Sequence, residues 1–141
     1  MKIRILFLAA ALLSGACGTP ATAPSFRTSA TVVLTTGLND RQQPVNAVEA
    51  LSLDQERFHV FTQWNQLAPG EHAVLVRVLD GERQPVLSDA QRFTPDNVSR
   101  ATVSAFQLNR YLQKPGEWLV EVYLDSERYV QRSVKVLPAS N

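Results

Sequence analysis

From Phe26 onward this sequence never sustains a helical rhythm over about eleven residues, the shortest window in which one can be read. Val, Thr and aromatic residues recur instead in short runs, each stopped by Gly, Pro, Asp or Asn. A chain built of short alternating segments can bury their apolar faces only by laying sheet on sheet. ATVVLTT (30–36) is rich in β-branched residues and halts at Gly37, and 37–44 reads as a loop. VNAVEAL (45–51) suits either a weak strand or a helical turn. RFHVFTQW (57–64) alternates Phe58, Val60, Thr62 and Trp64 against His59, Phe61 and Gln63. HAVLVRVL (72–79) sets Val74, Val76 and Val78 on one face. PVLS (85–88) and QRF (91–93) read as short edge pieces, with Pro85 guarding the edge. SRATVSAFQL (99–108) carries a weaker period of two. WLVEVYL (118–124) places Trp118, Val120, Val122 and Leu124 on one face, and Leu119, Glu121 and Tyr123 on the other. YVQRSVKVL (129–137) turns Val130, Val134 and Val136 inward, with Arg132 interrupting that face.

Two of these strands open with the same phrase. PGEHAVLVRVLDGER begins at Pro69 and PGEWLVEVYLDSER at Pro115. Pro presets one turn position and Gly supplies positive φ at the next. An amphipathic strand and a polar turn follow, so each copy predicts a β-hairpin with its lead-in turn. The second copy is one residue shorter between Pro-Gly and Asp, and a one-residue slip flips later side chains to the other face. The doubling therefore reads mainly as hairpin chemistry, with an old internal duplication as the second reading and a paired functional site as the last. Leu67, Pro69, Gly70, His72, Val74 and Val76, and again Pro115, Gly116, Trp118, Val120 and Val122, resemble a motif of bacterial immunoglobulin-like accessory domains. The resemblance implies that the aromatic packs under the turn and the strand runs through the middle of a sandwich. The expected fold is all-β: a single antiparallel β-sandwich over 29–138, immunoglobulin-like or transthyretin-like, of about seven strands.

The N-terminus has a different character. Lys2 and Arg4 precede an apolar run from Ile5 to Leu13, too short to span a bilayer and of the length usual in an export signal. Ser14-Gly15-Ala16-Cys17 resembles the lipobox of bacterial lipoproteins, with Ser14 in the place where that family favours Leu. The resemblance implies a signal peptide over 1–16, cleavage before Cys17 and lipidation of Cys17, which then anchors the chain in the membrane. Gly18 stands where an Asp marks inner-membrane retention, which implies the outer membrane, facing the periplasm. The same small residues also suit ordinary signal peptidase, which would give a soluble secreted or periplasmic protein. GTPATAPS (18–25) has no apolar rhythm, and 17–28 reads as a flexible tether.

Charge excludes one class of partner. The chain carries 14 basic and 13 acidic residues. Without Lys2 and Arg4 the balance is 12 against 13, with no surplus to displace counterions from phosphates, so no nucleic acid is expected. One cysteine leaves no intramolecular disulfide.

Catalytic and ligand-binding patterns are sparse. The two histidines, His59 and His72, have neither metal-ligand spacing nor a neighbouring thiol. No GxSxG, GxGxxG or GxxxxGK[ST] occurs, and no cofactor or metal is expected. Asp54/Glu56 and Asp80/Glu82 read as solvated turn carboxylates, and Ser88-Asp89 lies far from either histidine in sequence. Phe61, Trp64, Tyr111 and Tyr123 are the residues that could face a partner, with core packing or an ordinary wet sheet face as the competing role for those on strands. The expectation is a non-enzymatic envelope lipoprotein serving as a protein-interaction or scaffold module. The alternative is a β-sandwich that binds a small ligand or glycan in an apolar pocket bordered by polar groups, near Trp64 or Tyr111.

Overall fold

The structure, a computed structural model, describes residues 27–140. The predicted leader (1–16), Cys17 and the tether as far as residue 26 lie outside the described residues. Within them there are eight strands and no helix: β1 (Ser29–Thr35), β2 (Ala50–Ser52), β3 (Arg57–Asn65), β4 (His72–Leu79), β5 (Pro85–Phe93), β6 (Ser99–Gln107), β7 (Gly116–Leu124) and β8 (Glu127–Leu137). They form a three-stranded sheet in the order β1-β3-β6 and a five-stranded sheet in the order β2-β8-β7-β4-β5.

Alternation decides which side chains lie between the sheets. In β3, Phe58, Val60, Thr62 and Trp64 are buried while His59, Phe61 and Gln63 are only partly covered. In β4, Val74, Val76 and Val78 are buried, and opposite them in β7 stand Leu124, Val122 and Val120. These residues join Phe106, Trp118 and Val134 in one core fed by both sheets. Trp64, one of the four expected partner-facing residues, belongs to this core with no exposed surface, which corrects that expectation. Its place on the even-numbered face of β3 points it inward. There its Nε1–H donates to Thr102 Oγ1 at 3.0 Å, and its ring meets Tyr129 edge-on at 5.6 Å.

The doubled phrase has a spatial meaning. β4 and β7 are antiparallel neighbours, and Val76 stands opposite Val122, with Val74 opposite Leu124 and Val78 opposite Val120. A half-turn about the Val76–Val122 pair exchanges the two copies. Each strand continues into a hairpin, β4–β5 and β7–β8, so the order β5-β4-β7-β8 is locally two-fold. Both hairpin ladders shift by one residue, between Val78 and Leu79 against β5 and between Val122 and Tyr123 against β8, and the copies differ in their turns, 80–84 after β4 and 125–126 after β7. Gly70 has φ of 114°, the positive φ its Pro-Gly turn was expected to need. Asp125 and Ser126, at φ of 49° and 72°, close the β7–β8 turn in the left-handed region, as a two-residue hairpin loop requires.

Two expectations about the strands are corrected. The 85–93 segment is one continuous strand, β5, at the edge of its sheet rather than two short pieces. The pairing is not wholly antiparallel: β2 runs parallel to the end of β8, with Leu51 beside Val136. β2 is only three residues long, too short for a period of two to register. Its pairing is set by the loop that carries it from β1 to the far flank of the other sheet.

Each edge strand of the small sheet accepts a side-chain hydrogen bond from the large one. Arg132, which interrupts the inward face of β8, donates from Nη1 to the Val32 carbonyl at 3.3 Å and from Nη2 to Glu49 at 2.9 Å. On the opposite flank Gln91 of β5 donates from Nε2 to the Val103 carbonyl of β6 at 3.1 Å. Such inward polar groups satisfy backbone acceptors that would otherwise invite another strand.

Candidate functional site

Three local arrangements stand out from the wet surface of an ordinary sheet. The first lies on the outer face of the five-stranded sheet. β7 is the third of its five strands, flanked on both sides, and Glu121 on its outer face is buried. Arg77 of β4 donates to Glu121 Oε2 through Nε at 3.1 Å and Nη2 at 2.7 Å. Tyr123 Oη donates to the same oxygen at 2.9 Å, and Arg128 Nη1 donates to Oε1 at 3.1 Å. Burial pushes the Glu121 carboxyl up, but these hydrogen bonds outweigh it and hold the group below its ordinary 4.5. The sequence had suggested a plain wet face here. The signal available in the sequence was an acid, Glu121, in the middle of the otherwise apolar run WLVEVYL (118–124). Next to the cluster Ala73, Leu75 and Ala90 leave a half-open concavity of about 700 Å³, bordered by Arg77, Arg92 and Tyr123.

The second is the β6–β7 loop. Asn109 Oδ1 accepts from Tyr111 N at 2.9 Å, and the Asn109 carbonyl accepts from Leu112 N at 3.1 Å and Gln113 N at 2.9 Å. Gln113 Oε1 accepts in return from Asn109 N at 2.7 Å. This braced turn holds Tyr111 and Leu112 out into solvent, 88% and 81% exposed. The loop lies at the end of the molecule where Leu108 N meets the Glu56 carbonyl and Ser140 meets Asp54. The described chain begins at the opposite end, where Thr28 bonds to Gln66 and Leu67 to Val98.

The third is His72, buried at the start of β4. Its Nδ1 lies 2.6 Å from Asp125 Oδ2 and its Nε2 lies 2.8 Å from the Ala68 carbonyl. A carbonyl and an ionised carboxylate are both acceptors, so the arrangement favours the doubly protonated ring, whose two N–H groups it satisfies. The Ala68 carbonyl first, and then Asp125, raise its pKa above the ordinary 6.5. Asp125 is pushed up by burial and more than compensated by the Ala73 amide and His72, which leaves it below 3.8. A His beside an Asp suggests acid–base chemistry, but both ring nitrogens here are engaged by protein acceptors. It latches the β3–β4 loop to the β7–β8 turn.

The remaining predicted residues are dispersed. Phe61 is half-buried on the outer face of the small sheet, opposite Val33 and Val103. Tyr123 borders the concavity, and Tyr111 with the neighbour that sequence reasoning missed, Leu112, occupies the distant loop. Two adjacent large apolar residues between Asn109 and Pro115 were the signal for that tip. Asp80 Oδ1 accepts from the Glu82 and Gln84 amides, as a turn residue does. Among the described residues no group of three His, Cys, Asp or Glu stands close enough to hold a metal ion.

No protein-family model and no curated protein matches this chain. Solved structures resemble it in fold. The alkylpurine DNA glycosylase AlkC of Pseudomonas fluorescens, bound to DNA containing an abasic site analog, aligns over 78% of this chain and 30% of its own, at 13% identity and a TM-score of 0.50. The β-glucosidase of Listeria innocua in complex with glucose aligns over 79% of this chain and 16% of its own, at 16% identity and a TM-score of 0.48. The sensor domain of the anti-sigma factor RsgI4 of Pseudobacteroides cellulosolvens aligns over 79% and 94%, at 7% identity and a TM-score of 0.46. This chain thus spans 30% and 16% of the first two proteins. At such identities the likeness to the glycosylase extends to the two-sheet all-β fold alone, and the two lower scores carry no argument.

Proposed function

We propose that this chain is a lipoprotein of the bacterial envelope whose domain, an immunoglobulin-like or transthyretin-like sandwich, works as a non-enzymatic interaction or scaffold module. Lipid on Cys17 holds it to the outer membrane on the periplasmic side, and its partner is another envelope protein. The observation that carries this reading is the Tyr111–Leu112 tip. Burying a leucine side chain contributes about 1.5–3 kcal/mol, and a loop already held by its own hydrogen bonds gives up little freedom when it docks. The tip lies at the end away from where the tether joins, which suits a module that reaches outward from its anchor.

The test places the photo-crosslinker p-benzoylphenylalanine at position 111 in cells, irradiates, and identifies adducts by mass spectrometry. The expected result is one dominant envelope-protein adduct that disappears in Leu112→Asp. Adducts no different from those made at the exposed turn residue Glu82 would overturn the reading.

A further inference from the structure

We propose that the concavity on the outer face of the five-stranded sheet binds a small organic anion: an apolar body bearing one carboxylate, sulfonate or similar group. This inference stands apart from the partner-binding loop, which belongs to another part of the surface. The floor is apolar and low, made by Ala73, Leu75 and Ala90, and the volume of about 700 Å³ is that of a small-molecule site.

Charge and free donors select the ligand's sign. Around the cluster Arg77, Arg92 and Arg128 face two carboxylates, Glu121 and Glu71. Asp125, at the margin, is paired with His72 at 2.6 Å. The charged residues that line the concavity itself are both cationic, Arg77 and Arg92. Both oxygens of Glu121 already accept hydrogen bonds, so the wall offers a cation little. An anion finds open donors. Arg77 uses Nε and Nη2 on Glu121 and Tyr123, and its Nη1 has no partner among the described residues. Arg92 uses Nη1 on Glu71, and its Nε and Nη2 have no partner among the described residues. Two hydrogen bonds to the one oxygen Oε2 of Glu121 hold the Arg77 guanidinium before any ligand arrives, so it is presented rather than recruited. Tyr123, with the Arg77 guanidinium 5.4 Å from its ring centre, supplies the aromatic wall.

The test is a titration of the isotope-labelled full chain with naphthalene-2-sulfonate, followed by amide NMR shifts, with 2-naphthylmethylammonium as the matched cation. The sulfonate should move the amides of Ala73, Leu75, Ala90 and Arg92, and the ammonium should not. Arg92 is 75% exposed along its side chain, so Arg92→Gln should fold normally. It should bind about tenfold more weakly, the contribution of one charge-assisted hydrogen bond. Ala90→Glu, which sets a carboxylate in the floor, should abolish binding with an unchanged melting temperature. Equal shifts with the ammonium, shifts centred elsewhere, or full affinity in Arg92→Gln would each overturn the proposal.

Discussion

His72 and Trp118 make the same hydrogen bond in the two copies of the repeated phrase. Each donates a ring N–H to the carbonyl four residues earlier, His72 to Ala68 at 2.8 Å and Trp118 to Lys114 at 3.0 Å. Those carbonyls belong to the residues just before Pro69 and Pro115. The ring thus ties the lead-in turn to the strand it starts. Only His72 has a second nitrogen, and that nitrogen reaches Asp125 in the turn of the other hairpin. One copy of the phrase is a local clasp and the other a clasp between hairpins.

This second bond makes stability depend on pH. The His72 pKa is raised in the folded chain, so its contribution is complete below the unfolded value of 6.5 and is lost as pH rises through the folded one. The Asp125 contribution is present above 3.8 and is lost as pH falls through its lowered folded value. The urea midpoint of the native chain should therefore fall as pH climbs above 6.5, and His72→Phe should lose that slope. Parallel slopes in the two proteins would disprove the clasp.

Glu121 is the best-bonded acid of the outer face. Glu121→Ala should cost about 2 kcal/mol, less than a fully buried pair because Arg77 and Arg128 are half-exposed. Since the Glu121 pKa is lowered, its contribution holds above 4.5 and is lost as pH falls through the folded value. Chemical denaturation at neutral and acid pH reads both effects, and the two proteins should converge in stability at low pH.

The Val76–Val122 pair lies at the centre of the two-fold array, with both side chains buried. Val122→Ala should lower stability by about 1.5–3 kcal/mol. Val122→Asp, which buries an unpaired charge, should leave the chain unfolded at room temperature. Circular dichroism melts decide this, and a native-like melt for the Asp variant would mean the inward face is misassigned.

Arg132 ties β8 to the β1 edge through the Val32 carbonyl. Arg132→Ala removes the bonds to Val32 and Glu49 and should cost about 1 kcal/mol. Amide exchange along β1 should quicken while β7 stays protected, which separates a local edge effect from general loosening.

Cys17→Ser tests the anchor. The variant should move from the membrane fraction to the soluble one and take up no labelled fatty acid. Unchanged membrane attachment would remove lipidation from the account.

What the sequence by itself determined is what depends on neighbours along the chain. Period-two alternation places successive side chains on opposite faces, so the buried rows of β4 and β7 were legible from their own residues. The Pro-Gly and Asp-rich turns were legible too, because φ preferences are local. The tertiary structure alone decided the rest. Burial of Glu121 follows from the position of β7 inside a five-stranded sheet, and strand order is a long-range property. Arg132 looked like a flaw in an apolar face until β1 supplied the Val32 carbonyl and the loop after it supplied Glu49. The parallel pairing of β2 depends on where a long loop delivers three residues. Trp64 was ambiguous because both faces of its strand carry aromatics, and only the opposing sheet tells which face has a layer against it.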